Sequence, residues 1–350
     1  MKNEVVVVGA IPRPIGGVSE FVYRLVCRDG GEVISRVIDP YFSDSKKKLP
    51  EGVVHSVGPK GKLRFAWLWL VLAFSSARVM HINFSSAFSV LLLFVFPKRR
   101  RAKWILTLHN GNLRKVWILP LWVHRIAFRR FDLCISLSES QYDFYRKLGV
   151  DKSKIRNGSS YIFFRESAEI DQAVYDEWKG KAEAFKVNYI ASGYATSIYN
   201  HDWSLEKLSK SKNCFLALFL YGDSDKSVMD DINKYSGFEN IKIFFGVDGA
   251  TFNRILSEAD VYLRPNSVDS FGIAVADAVN YGVKVIASDV CKRYPGAQTF
   301  RGKEQFFHYV DVFNNSFSNE KNNIGCEDLN EKKDSFGFYM DIYLECKGEG

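Results

Sequence analysis

The stretch RPNSVDSFGIAVADAVNYGVKVIASD, Arg264 to Asp289, decides how the rest of the chain is read. Apolar residues lead into Arg264-Pro265, and proline ends a buried strand because it has no N–H for the ladder. Asn266 to Asp269 then reads as the outgoing loop. FGIAVADAVNYG is a helix of small residues closed by Gly282, and VKVIAS is the next strand. Strand, helix and strand in this order make one parallel crossover unit.

The acidic residues fit this frame. Asp269 lies just before the helix and Asp277 one to two turns inside it, so both can point toward a ligand at the strand end. Gly272 lets a ligand approach the backbone closely. The free N–H groups of Ser270, Phe271, Gly272 and Ile273, with the helix dipole behind them, form an anion site that would fit a pyrophosphate. A carboxylate accepts two hydrogen bonds from a vicinal diol, which suits Asp277 to a ribose and Asp269 to sugar hydroxyls. Two acids at this spacing are common by chance; the strand, Pro265, Phe271-Gly272 and the small-residue helix make the pattern specific.

Outward from this stretch the same rhythm recurs. EVVVVG, VISRVID, RVMHINF, KWILTLH and DLCISLS read as strands in the first half. KVNYIAS, CFLALFLYG, IKIFFGV, VYLRP and VKVIAS read as strands in the second. Helical segments separate them, among them GVSEFVYRLVCRDG with its Gly-Gly stop and LSESQYDFYRKLG with its serine cap. Strands alternating with helices predict α/β architecture: two doubly wound, Rossmann-like domains facing a cleft. The expected boundaries are 1–165, 166–318, and 319–350, the last a polar mobile segment followed by a short terminal helix.

Size and composition agree. The chain has 350 residues, 47% hydrophobic and 25% charged, enough for two cores. Its six cysteines are scattered, with no C-x-x-C pair and no His at metal-ligand spacing, which suits reduced thiols and argues against a zinc site. The start reads as a buried strand rather than a signal peptide. Two greasy stretches, Phe65–Phe74 and Ala87–Phe96, are shorter than the roughly 20 residues of a spanning helix and read as buried helices.

Charge is unevenly placed. Residues 1–165 hold 28 Lys and Arg against 11 Asp and Glu, whereas residues 166–350 hold 20 against 29. No acidic residue lies between Gly52 and Phe131, where Lys60, Lys62, Arg64 and PKRRRAK are interleaved with Trp67, Trp69, Trp104, Trp117 and Trp122. Cations mixed with tryptophan suit an anionic membrane surface. No nucleic-acid-binding motif accompanies them, so nucleic acid is not the expected partner.

The D-x7-D stretch resembles the donor-sugar motif E-x7-E of retaining GT-B glycosyltransferases of family 4, with Asp in place of both glutamates. Three further segments carry the resemblance. PRPIGGVSEFVYRL is similar to that family's N-terminal glycine loop, which implies that Gly16 and Gly17 approach the donor phosphates or the acceptor. ILTLHNGN resembles its strand-end histidine segment, which implies that His109 bonds the transferred sugar or orients the acceptor. SLSESQYDFYRKLGVDKSKIRNGSS resembles the run into the interdomain turn, with Asn157-Gly158 at that turn.

The resemblance implies a sugar transferase using a nucleotide-sugar donor and a lipid-linked saccharide acceptor in bacterial surface-polysaccharide synthesis, O-antigen or capsule. It would be cytoplasmic and peripheral at the inner face of the plasma membrane, with no cofactor beyond its substrates and no metal, since the helix terminus can do what a cation would do. His109 and Asp269 are the implied catalytic residues. Gly16, Gly17, Tyr194, Arg264, Ser270, Phe271, Gly272, Ile273 and Asp277 are the implied donor-binding ones. One departure stands out: SGYATSIYNHDW lacks the Arg or Lys pair the family places there. Arg264, or Lys292 and Arg293, are the substitutes the sequence offers. A degenerate binder without catalysis and a nucleotide-sugar epimerase are the alternatives.

Overall fold

A computed structural model describes residues 5–12, 16–41, 47–93, 96–109, 120–165, 169–269, 271–319 and 334–348. The chain divides into two compact units, Met1–Phe164 with Lys333–Gly350, and Arg165–Lys332.

In the first unit the elements run β1 (Val5–Val8), α1 (Gly17–Asp29), β2 (Ile34–Asp39), β3 (Val54–Val57), α2 (Leu63–Phe74), β4 (Val79–Phe84) and α3 (Ala87–Leu92). They continue as β5 (Lys103–Leu108), α4 (Leu121–Arg129), β6 (Leu133–Ser136), α5 (Glu139–Lys147) and β7 (Ile155–Asn157). The strands form one parallel sheet in the order β3-β2-β1-β4-β5-β6-β7. All four valines of β1 are buried, as a central strand covered on both faces requires. Val6 and Val8 belong to the core that α2 to α5 cover on one face, and Val5 and Val7 to the core that α1 covers on the other.

Local signals place the helix ends. Gly30 takes the left-handed conformation at φ 66° and donates its N–H to the Val26 carbonyl, stopping α1. Ser138 caps α5 by accepting the Gln141 N–H at 3.2 Å.

In the second unit the elements are α6 (Gln172–Ala182), β8 (Val187–Ala195), α7 (His201–Leu208), β9 (Cys214–Ser224), α8 (Lys226–Asn233), β10 (Ile241–Phe245) and α9 (Gly249–Glu258). After them come β11 (Val261–Arg264), α10 (Ile273–Asn280), β12 (Lys284–Ser288), β13 (Gln298–Phe300) and α11 (Gly302–Asn319). The parallel sheet has the order β10-β9-β8-β11-β12-β13. Both sheets are thus doubly wound, and in each the strand order reverses beside the first strand: between β1 and β4, and between β8 and β11. Ligands of such sheets sit at the carboxyl ends of the strands at these reversals.

Two placements differ from the sequence reading. The stretch Phe65–Phe74 is not a buried helix: of α2 only Leu68 and Leu72 are buried, because just one narrow stripe of it meets the sheet. Ala87–Phe96 does contribute to the core, through Ala87, Val90, Leu91, Leu93 and Phe96. Asn157 closes strand β7 and the Gly158 N–H donates to the Ser136 carbonyl at 2.9 Å, so both belong to the first unit. Residues 320–333 of the expected mobile segment lie outside the described residues, as do Trp117 and most of the HNGN run. The terminal helix α12 (Phe336–Lys347) packs on the first unit, burying Tyr339, Ile342 and Tyr343 against the α1 face. There His81 bonds the Tyr343 hydroxyl at 2.5 Å and the Thr107 hydroxyl at 2.8 Å, a packing role for that histidine.

Candidate functional site

At the reversal of the second sheet, β11 ends on Arg264, whose side chain is buried. Its Nε donates to Asp269 Oδ2 at 3.0 Å and its Nη1 to the Ser192 carbonyl at the end of β8 at 3.1 Å. With the Asn266 amide turned so that its oxygen faces the guanidinium, that oxygen accepts from Arg264 Nε and Nη2 at 3.0 and 3.1 Å. A second buried guanidinium arrives from the loop after β12: Arg293 Nη1 donates to the same Asp269 Oδ2 at 2.7 Å and to the Phe271 carbonyl at 3.3 Å. Arg293 Nε and Nη2 hold the Ser288 carbonyl and hydroxyl at 2.8 and 3.0 Å, and the Ser288 hydroxyl donates to the Asn266 carbonyl at 2.6 Å.

Two cations therefore share one carboxylate. Burial alone would raise the Asp269 pKa; the adjacent Arg264 and Arg293 override it and hold it at about 2. Burial alone would lower that of Arg264, and the charge of Asp269 with the surrounding tyrosines drives it well up instead. Two guanidiniums against one carboxylate leave one net positive charge at this strand end.

Tyrosines wall the cluster. The Arg264 guanidinium lies over the Tyr199 ring, 5.1 Å from its centroid; burial raises the pKa of the nearby Tyr221 hydroxyl, and the charge of Arg264 opposes that rise. Tyr194 meets Tyr199 and Tyr221 edge-on, with centroids 5.7 and 5.0 Å apart. Two glycines make room: a Cβ on Gly193 would lie 2.0 Å from the Tyr199 ring, and one on Gly222 1.9 Å from that of Tyr194. Asn200 is the one non-glycine residue with positive φ among the described residues, at 46°, and its Nδ2 ties this loop to the Pro265 carbonyl at 2.7 Å. His201 stacks on Tyr199 and places its Nε2 3.2 Å from the Tyr194 carbonyl. Burial, then the charge of Arg264, lowers its pKa to about 3, so it is neutral.

The start of α10 meets the cluster directly. Gly272 is its N-cap at φ 80°, and a Cβ there would lie 2.9 Å from Arg293 Nη1 and 3.2 Å from Asp269 Oδ2. Glycine is thus required twice, by conformation and by space. Asp277 sits one turn inside α10 and is only 2% exposed. Ile273 is the first helical residue; Ser270 lies outside the described residues.

At the reversal of the first sheet the chemistry is neutral. Gly9 follows β1 and packs so tightly that a Cβ would lie 2.8 Å from Val22 of α1 and 3.3 Å from Asn83 of β4. His109, just beyond β5, bonds through Nε2 to Asn83 Oδ1 at 3.1 Å and lies against Phe21, centroids 4.8 Å apart. Burial lowers its pKa to about 3. Gly16 and Gly17 stand at the start of α1, where Ser19 Oγ accepts from the Gly16 N–H at 3.0 Å. A Cβ at either glycine would meet no atom within 4 Å, so nothing in the described protein explains why both are glycine.

The structure therefore brings together Tyr194, Arg264, Asp269, Phe271, Gly272 and Ile273 at one strand end of the second unit, with Asp277 in the helix behind. His109, Gly16 and Gly17 belong to the first unit. Asn83, Ser192, Tyr199, Tyr221, Asn266 and Ser288 were not anticipated. Asn266 had a signal, since it sits inside the RPNS turn after the strand; Tyr221 had only its place beside Gly222 at a strand end.

No protein-family model matches the sequence. A Klebsiella pneumoniae protein described as an uncharacterized 41.2 kDa protein in cps region is 24% identical over 287 residues, which cover 79% of this chain and 78% of that one. Among solved structures, a glycosyltransferase from Rickettsia africae superposes with a TM-score of 0.68 at 13% identity, covering 100% of both chains. HepE of Anabaena, in complex with UDP and glucose, gives a TM-score of 0.64 at 11% identity over 98% of this chain and 95% of that one. At such identities the likeness is one of architecture: this chain has the GT-B fold, two parallel α/β sheets of seven and six strands.

Proposed function

We propose that this chain is a retaining glycosyltransferase of family 4 type. It would move a sugar from a nucleotide-sugar donor to a lipid-linked saccharide acceptor in bacterial polysaccharide synthesis. The observation that carries this is the buried Arg264–Asp269–Arg293 cluster against the N-terminus of α10 at the sheet reversal. A diphosphate leaving group needs positive charge fixed in advance of its departure. The strand that usually supplies that charge carries tyrosines here, and two guanidiniums from neighbouring strand ends stand in for it.

On this reading Asp269 is a positioning residue that holds both cations beside the donor, and Asp277 takes the ribose diol. Phe271, Gly272 and Ile273, with Ser270, offer backbone to the diphosphate, and Tyr194 lines its side. The released diphosphate accepts the proton of the acceptor hydroxyl on the same face, so no protein base is called for. In the first unit, neutral His109 donates or accepts a hydrogen bond to the transferred sugar or acceptor, and Gly16-Gly17 lets substrate reach the start of α1. The basic, tryptophan-bearing first unit holds the acceptor at the cytoplasmic face of an anionic membrane. The relative in a cps region and the UDP and glucose bound by HepE support the substrate class.

Titration of a nucleotide-sugar panel, first by thermal shift and then by calorimetry, tests the reading. At least one donor should stabilise the protein, and Asp277→Ala should weaken it about tenfold or more, because buried hydroxyls lose their partner. Wild-type affinity in that variant removes the ribose assignment. A second reading, a GT-B protein that binds saccharide without catalysis, draws on one observation: Arg293 Nε, Nη1 and Nη2 are each already engaged by Ser288, Asp269 and Phe271. Donor binding without any turnover favours that reading.

A further inference from the structure

Helix α2, LRFAWLWLVLAF, turns a broad apolar face outward. Leu63 is 71% exposed, Leu70 49% and Phe74 75%, and Phe65 and Trp69 are exposed with them. Advancing 100° per residue from the buried stripe of Leu68 and Leu72, the opposite side carries Leu63, Ala66, Leu70 and Phe74 and no charge. A surface helix of a soluble domain normally puts polar residues there.

Cations bracket the face at both ends. Lys60 and Lys62 are exposed just before α2. At its other end Arg99 Nε donates to the Ala73 carbonyl at 3.2 Å, anchoring the exposed Arg99, Arg100 and Arg101 beside Phe74. Among the described residues no helix is long and apolar enough to cross a membrane, and twelve residues at about 1.5 Å each reach roughly 18 Å, well short of a bilayer core.

Charge selects the occupant. A second copy docking its own α2 would bring the same cations against these, with no acidic residue between Gly52 and Phe131 to offset them. An anionic bilayer supplies the opposite sign together with an apolar interior. We propose that α2 lies in the plane of an anionic membrane, with Leu70 and Phe74 below the headgroups, Trp69 at their level, and Lys62 and Arg99–Arg101 on lipid phosphates. This deepens the membrane reading above and needs nothing of the transfer reaction.

The full chain is tested by co-sedimentation with phosphatidylglycerol-containing vesicles and with phosphatidylcholine alone, at low and high salt. Wild type should bind only the anionic vesicles and keep a salt-resistant fraction. The exposed double variant L70S/F74S should lose more than about tenfold in affinity and become fully salt-dissociable. Lipids brominated along the acyl chain should quench part of the tryptophan fluorescence, and W69F should remove that part. Salt-sensitive binding with no quenching and no effect of L70S/F74S would overturn the α2 assignment while leaving the membrane reading. Absence of binding to anionic vesicles would overturn both. A concentration-dependent dimer abolished by L70S/F74S, without vesicle binding, would assign the face to a second copy instead.

Discussion

At the reversal of the first sheet the strand ends present Gly9, Asn83 and His109, all uncharged at neutral pH, with His109 against Phe21. At the reversal of the second they present two guanidiniums and a carboxylate walled by tyrosines. The strand orders are the same outward from the first strand, so winding alone did not choose the chemistry. It fixed where a site can be; a few residues beyond each strand end fixed what the site can hold. A neutral strand end of amide and imidazole suits hydroxyl-rich groups, which hydrogen-bond without charge. A buried excess of positive charge suits an anion.

That contrast breaks most easily at Asp269. In Asp269→Asn both Arg264 and Arg293 remain buried with no counter-charge, and breaking a buried ion pair in this way costs about 3–5 kcal/mol. Backbone amides of β11 and β12 should lose hydrogen-exchange protection by that amount, while those of β1 and β4 keep theirs. Removing the neutral pair with Asn83→Ala should cost the first sheet only about 1 kcal/mol. Equal protection of the second sheet in wild type and Asp269→Asn would mean that the charged cluster is not holding the strand ends together.

Acid sharpens the contrast in the opposite sense. His81 and His109 of the first unit and His201 of the second each titrate at about 3 when folded, burial being the main cause. Unfolded, they titrate near 6.5. Between these values the unfolded chain binds protons that the folded chain refuses, so stability present above about pH 6.5 declines as pH falls. The limit is about 1.4 kcal/mol per histidine per pH unit, less for the partly exposed His109. Asp269 runs later: its folded pKa of about 2 lies below the unfolded carboxylate value, so its contribution persists until pH falls below about 4. Exchange protection at pH 7 and pH 5 should therefore fall more in the first unit, which holds both His81 and His109, than in the second. A uniform fall would show that these histidines are charged in the folded protein or do not report on its stability.

Much of this was readable from residue order. Parallel strands announce themselves as short runs such as VVVV and VKVIAS, and Gly30 and Ser138 mark helix ends by their own conformational preferences. The strands β3, β7 and β13 were harder: VHSV is half exposed at a sheet edge, and three-residue strands carry too little pattern to detect. Within the candidate site, Gly272 and Asp277 followed from strand-end logic. Local order could not show that Arg293, 24 residues beyond Asp269, shares its carboxylate oxygen, or that Tyr199 and Tyr221 flank Arg264. Those contacts depend on which strands become neighbours. The burial of α2 was misjudged for a related reason: apolar content does not say whether one face or all faces meet protein, and only Leu68 and Leu72 do so fully.

The smallest expected effect on stability is the most discriminating test of the proposed chemistry. Gly272 and Gly9 are glycines for internal reasons, since a side chain would strike Arg293 in one case and Val22 in the other. At Gly16 and Gly17 the described protein offers no such obstacle, and Gly16 has an extended φ of −172° that any residue adopts. Gly17→Ala, at the first position of α1, should therefore leave the melting temperature unchanged or raise it, with a gain of up to about 0.5–1 kcal/mol from a less flexible unfolded chain. If the glycine pair exists to admit a substrate to the helix start, the same variant should bind donor or acceptor several-fold more weakly despite its undiminished stability. A methyl group that alters neither stability nor titration would leave the neutral end of the first sheet without a ligand-facing role at this loop.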